Sequence, residues 1–327
     1  MTMKACIYGA GAIGGWLGVA LAQAGHPVSL VARGETLRAL QTQGLRMRRT
    51  DGTLAQVPVT AHSDPAALGV QDLVVIAVKA PGLPDVARAI APLLGPHTVV
   101  LTAMNGVPWW FLDGVGGAAQ GRALESVDTG GVIAQAIPAR SVLGGVVHAS
   151  CSLEAPGFVR HHFGDRLILG EPDGSHSARL LALADSLQRG GIQAEVSDCI
   201  PKDIWFKLWG NLTMNPISAL TGATTDRILD DALVRGFVSA VMLEAKAIGE
   251  RLGLPIDQQP EDRHAVTRKL GAFKTSMLQD VEASKPLEID ALVGAVRELG
   301  QITSTPTPHT DALLGLVRLM ARTRGLY

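Results

Sequence analysis

The sequence predicts an α/β first half built on a parallel sheet and an all-helical second half. Three observations predict it. Short apolar runs alternate with helical segments over the first 140 or so residues. A glycine-rich turn joins the first apolar run to the first helical stretch. After Pro201, apolar residues recur almost throughout at about the 3.6-residue helical period.

The first strand is the apolar run from Lys4 to Tyr8, leading into Gly9-Ala10-Gly11-Ala12-Ile13-Gly14, a helical stretch, and a second strand, PVSLVA, ending at Arg33. This glycine spacing between strand and helix is the Rossmann-type dinucleotide fingerprint, and each glycine has a task. Gly9 allows the tight turn, Gly11 lets a pyrophosphate approach the backbone, and Gly14 lets helix and strand pack closely. Ala12 and Ile13 occupy the helix start, whose free N–H groups face the phosphates. The bland reading, a glycine-rich turn that binds nothing, is weighed against both flanking strands being in place. The residue ending the second strand selects the dinucleotide. An acidic residue there accepts from the ribose 2′-OH, whereas Arg33 offers a charged planar fork suited to a 2′-phosphate. Glu35 is the rival acidic candidate, and the reading favoured is NADP(H).

Asp72 to Val78 and Val99 to Ala103 read as further buried parallel strands, without polar alternation because helices cover both faces. Pro84 to Leu94 reads as the crossover helix between them. Lys79-Ala80-Pro81 and Asn105-Gly106-Val107 follow at carboxyl ends of strands, where open α/β sheets bind ligands. From Ser141 to Gly170 the β-formers in VLGGVVHAS, FVRHHF and RLILG, broken by Pro156-Gly157 and Gly164-Asp165, read as an antiparallel extension. Ala178 to Arg189 reads as a helix and Ala194 to Val196 as an edge strand. Helices are expected over 204–220, 233–252, 264–282, 289–302 and 310–322. Gly190-Gly191 and Pro201 bracket the boundary, giving domains 1–198 and 199–327, with the active cleft expected between them.

With 327 residues, 47% hydrophobic, and 29 basic against 30 acidic side chains, the chain carries a net charge of −1. That supports about two soluble domains and lends nothing to nucleic-acid or membrane-surface binding. Cys6, Cys151 and Cys199 have no metal or redox spacing, which fits a reducing, cytoplasmic compartment. Lys4 before an apolar stretch with Ala22-Gln23-Ala24 resembles a signal peptide, but the glycine spacing explains it better. No other uninterrupted apolar run reaches membrane-spanning length.

The stretch DIWFKLWGNLTMNP from Asp203 to Pro216 is the most unusual of the second half. Lys207, Asn211 and Asn215 are spaced i, i+4, i+8 and share one helix face. A cation and two amides on an apolar helix suit an anionic or carbonyl-bearing ligand, and burial would lower the lysine pKa toward proton transfer. The competing reading is a snorkelling lysine with two surface amides. In a second cluster, Ser276 could donate to a carboxylate, and Glu288 begins a helix, where the dipole alone accounts for an acid. The nine histidines show no metal spacing, and His161-His162 receives no role.

Across nearly its whole length the chain resembles the ketopantoate reductases. The matching pieces are GAGAIGG at 9–15, the arginine after the second strand, VKA at 78–80, NGV at 105–107, PGFVRH at 156–161, WFKLWGNLTMNP at 205–216 and TSMLQDVEASKPLEID at 275–290. The resemblance implies an NADPH-binding Rossmann-type domain joined to a helical domain of the 6-phosphogluconate-dehydrogenase type. It implies Lys207 as the lysine that protonates the ketone oxygen and Glu288 as the carboxylate contacting the substrate hydroxyl. Asn211, Asn215 and Ser276 correspond to substrate-binding residues, with Lys79 and Asn105 at the cofactor–substrate junction. The substrate implied is a small 2-oxo acid, 2-dehydropantoate (ketopantoate), on the route to pantothenate, and a homodimer is compatible with it. Pro81-Gly82-Leu83 and Pro108-Trp109-Trp110-Phe111 depart from the family pattern and put the acyl pocket in question. The alternatives are a different 2-oxo or 3-hydroxy acid processed by the same lysine, or a silent NADP-binding sensor.

Overall fold

In the computed structural model, residues 2–327 are described, and they form two units. The first comprises the residues through Met104 together with Gly131–Ile200, and the second comprises Asn105–Gly130 and Pro201–Tyr327. The expected division after residue 198 falls two residues later, after Ile200, and differs further in the segment Asn105–Gly130, which packs with the helices although it lies in the first half of the sequence.

The first unit is a ten-stranded sheet. Its strands and helices are β1 (Ala5–Tyr8), α1 (Ala12–Gln23), β2 (Val28–Val31), α2 (Gly34–Gln43), β3 (Leu45–Arg48), β4 (Leu54–Val57), β5 (Thr60–His62), β6 (Leu73–Ile76), α3 (Leu83–Ala89), β7 (Val99–Thr102), α4 (Val132–Ala136), β8 (Val142–Ala155), β9 (Phe158–Gly170), α5 (Ala178–Arg189) and β10 (Gln193–Val196). The order is β4-β3-β9-β8-β7-β6-β1-β2-β5, with β10 against β9. The strands β5, β2, β1, β6, β7 and β8 run parallel. β8 and β9 pair antiparallel with three register shifts, as the β-rich stretch 141–170 led one to expect.

All four residues of β1 and of β6 are buried, which is why neither alternates in polarity. Ile7, Leu30, Val75 and Leu101 from the sheet meet Leu17 and Leu21 of α1 and Leu183 and Leu187 of α5. Truncating Ile7, fully buried, to Ala would cost about 2–5 kcal/mol. Cys6 is buried here too, and burial pushes its thiol up to about 12, leaving an inert packing group.

The second unit follows with α6 (Ile200–Thr221), α7 (Thr225–Asp230), α8 (Ala232–Arg251), α9 (Pro260–Arg268), α10 (Ser276–Glu282), α11 (Ala295–Ile302) and α12 (Pro308–Thr323). None of the described helices is long and apolar enough to cross a membrane. The helix expected over 264–282 is two helices. α9 gives out before Gly271, and α10 restarts at Thr275, whose hydroxyl accepts from Leu278 N at 3.2 Å. The crossover helix expected over 84–94 ends at Ala89 and continues as a tighter turn, Ala91–Leu93. Residues 290–294 wind as a π-turn before α11.

Two devices hold Asn105–Gly130 to the helices of this unit. Trp109, Trp110 and Phe111 are buried, with Phe111 6.0 Å from the ring of Trp205. Both carboxylate oxygens of Glu298 accept backbone N–H groups, from Glu125 and Ser126, each at 2.8 Å. The apolar Trp109-Trp110-Phe111 run is therefore core of this unit.

Candidate active site

The glycine turn in the first unit has the close quarters that the motif demands. Gly9 has φ +109°, and a Cβ there would lie 2.8 Å from Ala77 C and Val78 N in the loop after β6. A Cβ at Gly14 would lie 2.1 Å from Gly9 O and 2.9 Å from Ile7 Cγ2. A Cβ at Gly11 would meet nothing within 4 Å, so the turn opens outward at that residue. Gly11 caps α1 without a side-chain hydrogen bond, so the N–H groups of the first turn, around Ala12 and Ile13, keep their donor capacity. A tight turn, an open approach and an uncapped helix start together fit a dinucleotide pyrophosphate. Arg33 is exposed at the start of α2, and its side chain makes no hydrogen bond or ion pair with the described residues. Lys79 is exposed, beginning the turn after β6.

The second unit gathers the remaining residues. α6 presents Lys207, Asn211 and Asn215 on one face. Lys207 Nζ donates to Asn105 Oδ1 at 3.0 Å. Asn105 is held in place by its neighbours: Gly106 has φ +84°, a Cβ there would lie 2.6 Å from Ala291 O, and Val107 N donates to that same oxygen at 2.8 Å. Glu288 is 7% exposed, just before the π-turn, and acts on Lys207 electrostatically. Asn215 Nδ2 donates to Ser276 Oγ at 3.4 Å, a long contact linking α6 to the first residue of α10. The side chain of Asn211, midway along α6, makes no hydrogen bond with the described residues.

Lys207 keeps partial exposure as a residue, yet its amine is packed round by protein. Burial lowers its pKa from 10.5 to about 8, the Glu288 carboxylate pushes it back up, and the Arg263 guanidinium pushes it down. An ammonium near its titration point, aimed by an amide oxygen and facing a buried carboxylate, can hydrogen-bond a carbonyl oxygen and give up a proton.

Arg263, on α9, is the charged residue at this site that sequence reasoning missed, because an arginine on a polar helix reads as solvent-exposed. A signal was available in Gly210: a glycine inside an apolar helix, between Lys207 and Asn211, marks a close approach by something else.

Comparison with known proteins gives the family of the chain. The ketopantoate reductase PanE/ApbA family model matches residues 5–174, and that of the PanE/ApbA C-terminal region matches 200–321. The chain belongs to the ketopantoate reductase family. It is 49% identical to a 2-dehydropantoate 2-reductase of Mesorhizobium japonicum, over 99% of this chain and 100% of that one. A crystal structure assigned as a ketopantoate reductase from Ralstonia solanacearum MolK2 is 60% identical, covers 100% of both chains, and superposes with a TM-score of 0.96. D-mandelate dehydrogenase, solved with NADH and anilino(oxo)acetate, shares the fold at 23% identity and a TM-score of 0.83, over 99% of this chain and 100% of that one. The chain is thus an oxidoreductase of the ketopantoate reductase family, with a Rossmann-like first unit and a helical second unit.

Proposed function

We propose that this protein uses NADPH to reduce 2-dehydropantoate to pantoate, with Lys207 as general acid. The observation that carries the reading is the Lys207 amine, held by Asn105, opposed by buried Glu288 and poised near pH 8. When bound, the dinucleotide supplies a hydride for the carbonyl carbon. The ketone oxygen becomes an alkoxide, and Lys207 Nζ–H supplies the proton that makes the hydroxyl. The Lys207 charge stabilises the developing alkoxide before transfer. Asn105 Oδ1 takes one Nζ–H and so aims the amine. Glu288 favours the charged amine and is suited to accept from the product hydroxyl. Asn211, Asn215 and Ser276 supply neutral donors for the rest of the acid.

Arg33 supports NADPH over NADH: it is exposed, at the end of β2, with its guanidinium uncommitted. Free thiols at Cys6, Cys151 and Cys199 support a cytoplasmic setting. A homodimer is the assembly proposed, and sedimentation velocity tests it. A second reading keeps this chemistry with another 2-oxo acid. It is favoured by the turn at Ala80–Gly82, whose Pro81 and Gly82 depart from the pattern that the family resemblance implies. The test is steady-state NADPH oxidation with 2-dehydropantoate and a panel of branched and unbranched 2-oxo acids. The highest kcat/KM on 2-dehydropantoate supports the first reading, a higher value on another acid supports the second, and no turnover on any removes both.

A further inference from the structure

The chain beyond α12 turns back onto the segment that carries Glu288. Gly325, at φ +66°, makes the turn. Leu326 N donates to Ala321 O at 2.8 Å and closes the helix end, while Leu326 O accepts from Leu287 N at 3.0 Å. Leu326, Leu287 and Ile289 are all buried. Tyr327 OH donates to Asp290 Oδ1 at 3.0 Å, and Arg318 Nη2 of α12 donates to the same oxygen at 2.6 Å. The Tyr327 ring lies 5.8 Å from the guanidinium carbon of Arg318 and 5.2 Å from that of Arg322, so two cations brace it.

Glu288 therefore sits between two tied residues, Leu287 and Asp290. The tie at Asp290 needs room, and Gly294 leaves it: a Cβ there would stand 3.0 Å from Asp290 Oδ1. The next carbonyl along, Ala291 O, accepts from Val107 N, two residues after the amide that aims Lys207. One short segment thus carries the carboxylate that acts on Lys207 and the anchor for Asn105. A clasp that served stability alone would need the buried Leu326 and no more. The convergence of a hydroxyl and a guanidinium on one carboxylate oxygen sets the position of the turn beside Glu288.

We propose that Tyr327 and Asp290 are positioning residues, which with Arg318 and Leu326 form a strap that holds Glu288 against Lys207. The role in turnover rests on the reduction proposed above; the placement of Glu288 does not. The charges acting on Lys207 are those of Glu288 and of Arg263 on α9, which packs over Phe206 and against Gly210. Glu288 raises the Lys207 pKa, so a Glu288 that swings away lets it fall.

The experiment compares Tyr327→Phe, Asp290→Ala and Glu288→Gln, and joins the first with the third. Two quantities are read: the alkaline limb of kcat/KM for NADPH-dependent reduction of 2-dehydropantoate, and the titration of Lys207 itself. The second uses NMR of protein labelled with 13C at the lysine Cε, assigned by the signal lost in Lys207→Arg, and needs no turnover. Tyr327→Phe should move both to lower pH, in the direction of Glu288→Gln, with NADPH affinity unchanged. Asp290→Ala frees both donors and should move them further, lowering kcat about 10- to 100-fold, up to the cost of an active-site misplacement of about 1 Å. Tyr327→Phe added to Glu288→Gln should move the limb by less than the sum of the two, because the strap acts through the carboxylate. The hydroxyl removed by Tyr327→Phe is at the surface, so this variant keeps the test open if Asp290→Ala folds poorly. A lowered thermal midpoint with limb and titration unmoved, or additive movement in the joined variant, would overturn the proposal. An unaltered protein that reduces no 2-oxo acid, yet whose Lys207 titration falls in Tyr327→Phe, would remove the proposed reaction and leave the strap standing.

Discussion

The alkaline limb of the pH profile is where Lys207 declares its role. The general acid must carry its proton, so rate follows the protonated fraction. With a pKa near 8, Lys207 is about nine-tenths protonated at pH 7 and about one-tenth at pH 9, whereas an ordinary lysine stays about 95% protonated at pH 9. The profile of kcat/KM, which reports the free enzyme, should therefore fall about tenfold from pH 7 to pH 9 rather than stay level. Glu288 holds the pKa up, so Glu288→Gln should move the limb to lower pH, in addition to any loss of rate. Lys207→Arg, which stays charged, should lose the limb while running slowly. Initial rates of NADPH oxidation in buffers of constant ionic strength from pH 6 to 10 decide it. A kcat/KM level to pH 10, or a limb that moves up in Glu288→Gln, refutes the assignment of the proton donor.

Lys207→Ala should lower kcat by about 10²–10⁴-fold with NADPH affinity nearly intact. Combining it with Glu288→Ala should add little, because the two act as one unit; near-normal kcat with a depressed thermal midpoint would instead mark Lys207 as a packing residue. Arg33→Ala should weaken NADPH binding by about 1.5–3 kcal/mol and NADH far less, and fluorescence titration showing equal weakening would point to Glu35. Gly14→Ala, which sets a Cβ 2.1 Å from Gly9 O, should cost about 1–3 kcal/mol or more by overpacking. Gly11→Ala meets no protein atom and should lose NADPH affinity at an unchanged thermal midpoint, so a pair of melting and binding curves tests both.

Where one physical cause dominated, the sequence was legible. Continuous apolar runs marked β1, β6 and β7, and the spacing of Lys207, Asn211 and Asn215 placed all three on one face of α6. Elements governed by short-range turns were harder. The β3–β4 hairpin escaped notice although Asp51-Gly52 sits at its turn and Leu45 and Met47 alternate with arginines. The break between α9 and α10 was hidden because their apolar residues stay in phase across it. At the site, Glu288 looked like a helix-start acid, since its burial beside Lys207 comes from chain packing and not from local pattern. Arg263 was invisible for the same reason: its seat is made by residues 206 and 210, half a hundred positions earlier.

The assignment of Asn105–Gly130 to the helical unit has a consequence for how the protein is made. On the ribosome this segment emerges well before the helices it packs against. The Glu298 carboxylate that secures Glu125 and Ser126 is synthesised 173 and 172 residues after them. Trp205, the ring partner of Phe111, also comes from the later part of the chain. The nascent polypeptide must therefore carry Phe111 without its ring partner until α6 is made, and Glu125 and Ser126 without their carboxylate until α11 is made, a window in which chaperones and proteases compete for the segment. Cutting the gene at residue 200 would make that window permanent for one product and leave the other with a hole where three aromatic rings belong.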